Sequence, residues 1–210
     1  AINTNTIVLS VNYTKSPQVQ FPYALDECYR VYKALVEGNL FGFIPRKIIL
    51  TGDSAGGNLV ITTTIRAISD NIRIPDGLII AYPAIDCCKS TTISRYVFSY
   101  DVLLSYNLLL LCSDAYIPKN TDSKYDLISP LYVSDDILAK FPNNIYIHSA
   151  AYCPLLDDSF KFVKRLKNHN KNARQWLFNL PHGFWNLGHI LPGVTDIIKQ
   201  TNEHISEIIQ

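Results

Sequence analysis

The sequence contains no methionine, no paired cysteine motif and no long apolar run. Its five cysteines lack the C-x-x-C spacing of a zinc or redox site, so we expect free thiols and a reducing, cytoplasmic environment. The longest apolar runs, such as Leu108–Cys112, are far too short to span a bilayer. No leader of the secretory type opens the chain, so secretion is not indicated. The formal net charge of +1 gives no electrostatic reason to expect a nucleic-acid partner.

The composition that remains is that of an ordinary globular domain. With 210 residues, 48% of them hydrophobic and 18% charged, the chain fits one domain with a sizeable core. Methionine is absent even at position 1, and a strand-like run, Thr6–Asn12, begins almost at once. These two features lead us to expect that residues 1–210 are the C-terminal part of a longer domain.

Short runs rich in Ile, Val, Leu and aromatic residues alternate with longer helical patterns. The runs show little polar alternation, which is typical of strands covered on both faces. The predicted strands are Thr6–Asn12, Lys47–Gly52, Leu78–Tyr82, Asn144–Ser149 and Gln175–Leu180. The predicted helices are one within Phe21–Gly38, opened by Pro22 and ended by Gly38, and then Gly56–Ser69, Leu156–Asn168 and Val194–Ile209. This alternation predicts right-handed crossovers, a parallel sheet and an α/β architecture.

Residues 85–125 interrupt the alternation. Within them, the run Tyr100–Tyr116 predicts a helix. Such a helix could form a lid over a site, or it could be an ordinary packed crossover helix. The sequence leaves both interpretations open.

The segment Gly52-Asp53-Ser54-Ala55-Gly56 fits the pattern G-x-S-x-G and lies between a predicted strand and a predicted helix. This pattern is typical of a nucleophilic serine on a tight, strained corner. Glycines two residues to either side are expected to avoid collision where strand and helix crowd together. The N–H of Ala55, at the helix N-terminus, is expected to stabilise a developing oxyanion.

A serine hydroxyl needs a base, and the chain has five histidines. His182 follows the last predicted strand in a Pro/Gly turn, where this architecture places its base. His169 and His204 fall in helical patterns and are predicted to face solvent. His148 lies inside a strand and is predicted to be a satisfied core histidine, whereas His189 lies in a loop with no signature.

At these residues the chain resembles the hormone-sensitive-lipase branch of the α/β-hydrolases, which is marked by a G-D-S-A-G-G elbow. The segments "GDSAGGNL", "RIPDGLIIAYPA", "ISPLYVSDDIL", "PLLDDSFKFVKRL" and "LPHGFW" are similar to their family counterparts in the same order. The resemblance implies an α/β-hydrolase fold and hydrolysis of apolar carboxylic esters through an acyl-serine, with no cofactor. It implies Ser54 as nucleophile, His182 as base and a small-molecule or lipid ester as substrate. Contact with a lipid surface and the oligomeric state stay open.

The first departure from the family concerns the third member of the triad. The family has an aspartate immediately before a proline, and this chain has Cys153 before Pro154. A thiol with its ordinary pKa of about 8.5 is mostly neutral at pH 7 and lacks a carboxylate's charge. Asp157 is the alternative acid, although Asp157 and Asp158 are also typical of favourable charge at a helix N-terminus. No ligand spacing around Cys153 predicts a metal site.

The second departure is the absence of the family's H-G-G-G motif, which supplies further oxyanion N–H groups and normally precedes the strand that is here Thr6–Asn12. The sheet is therefore expected to lack a strand between Thr6–Asn12 and Lys47–Gly52. Two functions follow from these departures. One is a lipase-like carboxylesterase with impaired activity, and the other is a non-catalytic, hydrolase-like binding or scaffold protein.

Overall fold

The computed structural model describes residues 1–188 and 190–210, so the prediction for His189 lies outside the described residues. Its centre is a four-stranded sheet in which all neighbouring strands are parallel. The strands lie side by side in chain order: β1 (Ile49–Asp53), β2 (Gly77–Ala81), β3 (Asn144–Tyr152) and β4 (Asn172–Pro181). The α/β class and four of the five predicted strands are therefore confirmed, with shifted ends.

The helices alternate with the strands as the sequence predicts. They are α1 (Tyr23–Val36), α2 (Ala55–Ser69), α3 (Ile93–Val97), α4 (Tyr106–Tyr116), α5 (Asp135–Leu138), α6 (Leu156–Asn168) and α7 (Val194–Ile209). Short 3₁₀ turns lie at Ile2–Thr4, Pro130–Tyr132 and Phe184–Leu187. Helices α6 and α7 have the predicted bounds, and Gly38 follows α1 with the left-handed φ of 77° that the predicted cap requires.

The core lies on both faces of the sheet because β2 is buried along its whole length. Leu78 and Ile80 point to one face, where α2 and α6 cover them, and Ile79 points to the other face, where Ile208 of α7 packs. Each such fully buried aliphatic side chain contributes about 1.5–3 kcal/mol relative to exposure. This two-sided cover explains why the strand runs are apolar without alternation.

The prediction of a strand at Thr6–Asn12 is wrong. The segment is irregular, and the side chains of Ile7 and Val8 are 69% and 66% exposed. A strand needs a neighbour for its backbone N–H and C=O groups. Among residues 1–188 and 190–210, β1 is the edge of the sheet, and Thr6–Asn12 pairs with neither β1 nor any other strand.

The predicted helix over Tyr100–Tyr116 begins later, because α4 starts only at Tyr106. The Ser105 hydroxyl accepts a hydrogen bond from the Leu108 N–H at 3.2 Å and so caps α4. Before it, the Asp101 carboxylate accepts from the N–H groups of Leu103 and Leu104, which holds the chain in a turn. We call residues 93–116, with α3, this turn and α4, the roof segment.

The five cysteines are unpaired, in line with the expectation of free thiols. In the part of the chain that the structure describes, none of the helices combines the length and apolar character that crossing a membrane requires.

Two histidines meet in the core between β3 and α7. His204 is 3% exposed, so its predicted solvent-facing position is wrong, and His148 is fully buried as predicted. His148 Nε2 lies 3.3 Å from His204 Nδ1, whereas His148 Nδ1 has no partner among the described residues, so the prediction of a satisfied histidine is wrong for that atom. Burial lowers the pKa of His148 to about 3 and also lowers that of His204.

This pair predicts acid sensitivity. The unfolded chain binds a proton at His148 below its ordinary pKa of about 6.5. The fold does not bind that proton until about pH 3, so folding stability falls as the pH drops below 6.5. His148→Phe removes this titration. Between pH 6.5 and 4.5 the free energy of unfolding should therefore fall by up to about 2 kcal/mol less in this variant than in the unmodified chain. Urea unfolding at both pH values measures it.

Phe178→Leu is the matched control, because Phe178 packs against the His148 ring without titrating. This control should lower stability by a similar amount at both pH values. An unchanged pH dependence in His148→Phe would contradict the assignment.

Candidate active site

Ser54 occupies the corner between β1 and α2. Its backbone has φ 53° and ψ −117°, a conformation that costs a non-glycine residue free energy and that turns the side chain out of the strand. The corner is tight, since a Cβ on Gly52 would lie 2.5 Å from the Gly56 carbonyl oxygen. The Ser54 N–H donates to the Ala81 carbonyl at 2.9 Å, which ties the corner to the end of β2.

The expected role of the second glycine is wrong. A Cβ on Gly56 would meet nothing within 4 Å. Gly57 is the crowded position, because a Cβ there would lie 2.8 Å from both Ile80 Cγ2 and Pro83 Cβ. The close packing of α2 onto β2 therefore depends on Gly57, which lies just beyond the five-residue pattern.

His182 directly follows β4 and reaches the serine. Its Nε2 lies 2.8 Å from Ser54 Oγ, a normal hydrogen-bond distance. The imidazole is 6% exposed and packs against the Tyr82 ring, with ring centroids 4.8 Å apart. Burial lowers the pKa of His182 to about 4, although the nearby Asp101 and Asp53 carboxylates act in the opposite direction. The ring is therefore neutral at pH 7 and can accept a proton.

Cys153 lies behind the imidazole, where the family has its acid. Its Sγ is 3.1 Å from His182 Nδ1 and accepts the Leu155 N–H at 3.4 Å. Burial raises the pKa of the Cys153 thiol far above its ordinary range, so the group is uncharged. An aspartate can only accept at Nδ1, whereas a thiol can donate or accept there. The tautomer that frees Nε2 as a base is thus not enforced.

The two downstream aspartates lie on α6 and contact residues of α3 rather than the imidazole. Asp157 Oδ2 accepts the Ser94 N–H at 3.0 Å. Asp158 forms a buried ion pair with Arg95 at 2.9 Å, and burial raises the pKa of Asp158 to about 7. Both lie in the first turn of α6, as the charge pattern predicts. Asp157 could serve as acid only if this capping contact were broken.

Ala55 opens α2, so its N–H has no acceptor within the helix. This is the donor that the sequence assigns to the oxyanion. No group of three or more His, Cys, Asp or Glu side chains in the described residues is arranged to hold a metal ion.

A second polar network borders the site and was not found from the sequence. The Tyr82 hydroxyl donates to Asp53 Oδ2 at 3.3 Å and accepts the Trp185 N–H at 3.1 Å. The Asn186 amide donates to the same Asp53 oxygen at 3.0 Å. The network links the ends of β1 and β2 to the turn after His182. The available signal was position, since Asp53 and Tyr82 both stand at carboxyl ends of predicted strands.

The site is open to solvent at the serine, because Ser54 is half-buried and Ala55 is exposed. Two surface depressions of about 630 and 610 Å³ lie elsewhere, one between the end of β4 and α7 and the other beside α4. Neither of them is lined by Ser54 or His182.

A parallel sheet with helices on both faces and a serine–histidine contact at its carboxyl edge together define the α/β-hydrolase class. The chain belongs to the alpha/beta hydrolase fold family, which matches residues 1–186. The fold and the relatives are of the esterase/lipase type, which confirms the resemblance to hormone-sensitive-lipase-like proteins.

Three similar proteins illustrate the relationship. Hormone-sensitive lipase of Mus musculus is 38% identical over 120 residues, which are 57% of this chain and 16% of that protein. An esterase of Acinetobacter venetianus is 30% identical over 186 residues, 89% of this chain and 58% of that protein. A solved structure of Pyrobaculum calidifontis esterase superposes with a TM-score of 0.91 at 28% identity, covering 99% of this chain and 67% of that one. The chain thus spans less than two thirds of the two curated relatives.

The glycines of the corner predict a contrast between neighbouring substitutions. Gly57→Ala forces its new methyl group against Ile80 and Pro83, so the free energy of unfolding should fall by about 1–3 kcal/mol. Gly56→Ala enters open space and should gain up to about 1 kcal/mol of helix propensity. Urea unfolding of both variants measures the difference. A Gly57→Ala variant as stable as Gly56→Ala would refute the packing argument.

Proposed function

We propose that the protein is a carboxylic-ester hydrolase that acts on apolar acyl esters through an acyl-serine, with activity weakened by Cys153. The observation that carries the proposal is the 2.8 Å distance between Ser54 Oγ and His182 Nε2. A serine hydroxyl is a poor nucleophile without an adjacent base, and this contact supplies one.

The reaction follows from the positions of these atoms. Ser54 Oγ attacks the ester carbonyl while His182 Nε2 takes the hydroxyl proton, and the Ala55 N–H donates to the oxyanion. The tetrahedral species collapses, the C–O bond to the alcohol breaks, and the imidazolium gives its proton to the leaving alkoxide. Water, activated by the same nitrogen, then hydrolyses the acyl-serine and restores the hydroxyl.

Cys153 limits this cycle at the imidazolium. A buried neutral thiol does not stabilise a positive charge as a carboxylate does, and it leaves the tautomer of His182 unenforced. Replacing the triad acid by a neutral group costs roughly 10⁴ in turnover in a serine protease. We therefore expect little or no hydrolysis of a short p-nitrophenyl ester by residues 1–210.

The preference for apolar acyl groups rests on the roof segment. Leu103 approaches the turn after His182, since its Cδ1 lies 3.2 Å from where a Cβ on Gly183 would be. The neighbouring Tyr100 and Val102 are 94% and 90% exposed. Apolar side chains near the turn after His182 support the proposal of an apolar acyl group, and a lipid ester would carry one.

Cys153 also favours a second candidate function, a non-catalytic binding or scaffold protein. The aspartates that could replace the missing acid are engaged by α3 instead. In this case Ser54 would not be activated, and the site would serve only to hold a ligand.

Labelling with a fluorophosphonate distinguishes the two functions, because the probe phosphonylates an activated serine and releases fluoride. We expect slow labelling of the protein, none in Ser54→Ala, and labelling at least about tenfold faster in Cys153→Asp, in which a carboxylate supports the imidazolium. Gel fluorescence against time gives the rates.

Cys112→Asp is the matched control, because it makes the same chemical change at an exposed cysteine on α4. It should leave the labelling rate unchanged. Labelling that survives in Ser54→Ala would exclude Ser54 as the nucleophile, and no labelling even in Cys153→Asp would favour the binding function.

The pKa of His182 predicts the pH dependence of labelling. The base stays neutral down to about pH 4, so the rate for the unmodified chain should be flat between pH 8 and 5.5. In Cys153→Asp the new carboxylate raises the pKa of His182, so the base becomes protonated, and the rate falls, at a higher pH. Identical pH profiles for the two proteins would contradict this electrostatic role.

A further inference from the structure

Asp101 lies in the turn of the roof segment and contacts the backbone of His182. Its Oδ2 accepts the His182 N–H at 3.3 Å. Its Oδ1 accepts the N–H groups of Leu103 and Leu104 at 2.9 and 2.6 Å. One half-buried carboxylate therefore folds the roof turn and anchors the residue that carries the base.

The roof turn is packed against this part of the site as well as bonded to it. Leu104 is 8% exposed and belongs to the same apolar cluster as Cys153 and Phe184. Leu103 lies against Gly183. These contacts hold the Asp101 carboxylate at a fixed place relative to His182.

Each element packed around His182 presents polar or titratable groups to it. These groups are Asp53 and Ser54 at the end of β1, Tyr82 after β2, Cys153 after β3 and Asp101 in the roof segment. Only Asp53 and Asp101 are carboxylates. Asp53 is engaged by Tyr82 and Asn186, whereas Asp101 binds the His182 peptide itself.

We propose that Asp101 is a positioning residue that holds His182 from the roof segment and supplies the negative charge that Cys153 does not. The inference rests on the proposed function of Ser54 and His182. Of the two carboxylates that raise the pKa of His182 against the effect of burial, Asp101 has the larger influence. A negative charge near a ring that becomes an imidazolium in the transition state stabilises that state.

The role of Asp101 as a substitute for the triad acid makes a specific prediction about coupling. Asp101→Asn keeps a carbonyl oxygen for the turn and removes the charge. It should slow fluorophosphonate labelling at least about tenfold where Cys153 is present, and about threefold or less in the Cys153→Asp variant, where a closer carboxylate supports the ring. Asp114→Asn is the matched control, because Asp114 lies on α4 and pairs with Lys89.

A second measurement separates this inference from the proposed function. In the Cys153→Asp variant, the ¹H NMR titration of the His182 ring, assigned with His182→Gln, gives the pKa without any reaction. Asp101→Asn should lower that pKa by about half a unit, a threefold change in proton affinity. This result would stand even if the unmodified chain were not labelled at all.

Asp101→Glu retains the charge and should retain at least half of the labelling rate and the same His182 pKa. The inference is overturned if Asp101→Asn changes neither the titration nor the labelling, if it slows both backgrounds equally, or if Asp101→Glu falls as far as Asp101→Asn. If Asp101→Asn does not fold, Asp101→Ser, which also caps such turns, takes its place with the same outcomes.

Discussion

The hydrogen bond between Ser54 and His182 joins residues 128 positions apart in the chain, and the function proposed here depends on it. The parallel sheet makes it, because all four strands end at the same edge. Each strand end contributes one residue to the site: His182 follows β4, and its imidazole is contacted by Ser54 after β1, Tyr82 after β2 and Cys153 after β3. The strained backbone of Ser54 is kept because the bond to Ala81 and the packing at Gly57 over-determine it.

Burial has opposite consequences for the two steps that His182 would perform. It lowers the pKa of the imidazole and so keeps the ring neutral, which favours its use as a base. The same burial makes the imidazolium costly, and a neutral Cys153 does little to offset that cost. The site thus has the hydrogen-bond geometry of a serine–histidine pair without a charged group at the position of Cys153. The serine and histidine proposed as nucleophile and base are in hydrogen-bond contact, whereas a neutral thiol lies on the other side of the imidazole at Nδ1.

Charge in the rest of the core serves the fold. Arg95 and Asp158 pair where their side chains are 2% and 0% exposed, and the pair joins the roof segment to α6. Loss of one partner would leave a buried charge, which typically costs 3–5 kcal/mol. Asp157 also connects α6 to the roof segment, because its carboxylate accepts the Ser94 N–H. The two aspartates nearest to Cys153 in sequence thus contact α3 in this structure, and Asp157 stays a prediction as the alternative acid.

The sequence by itself determined the α/β class, four strands, the corner at Ser54 and the chain position of His182, because these follow from local patterns of apolar residues, glycines and turns. Two local patterns were misleading: Thr6–Asn12 is apolar enough for a strand but pairs with no strand of the described sheet, and His204 has a helical pattern but faces the core. Only the tertiary structure decided that Gly57 rather than Gly56 is crowded, that Asp157 caps α3, and that Asp101 reaches His182. These are contacts between distant segments. Their existence depends on how the roof segment and the strand ends pack together, which no local pattern encodes.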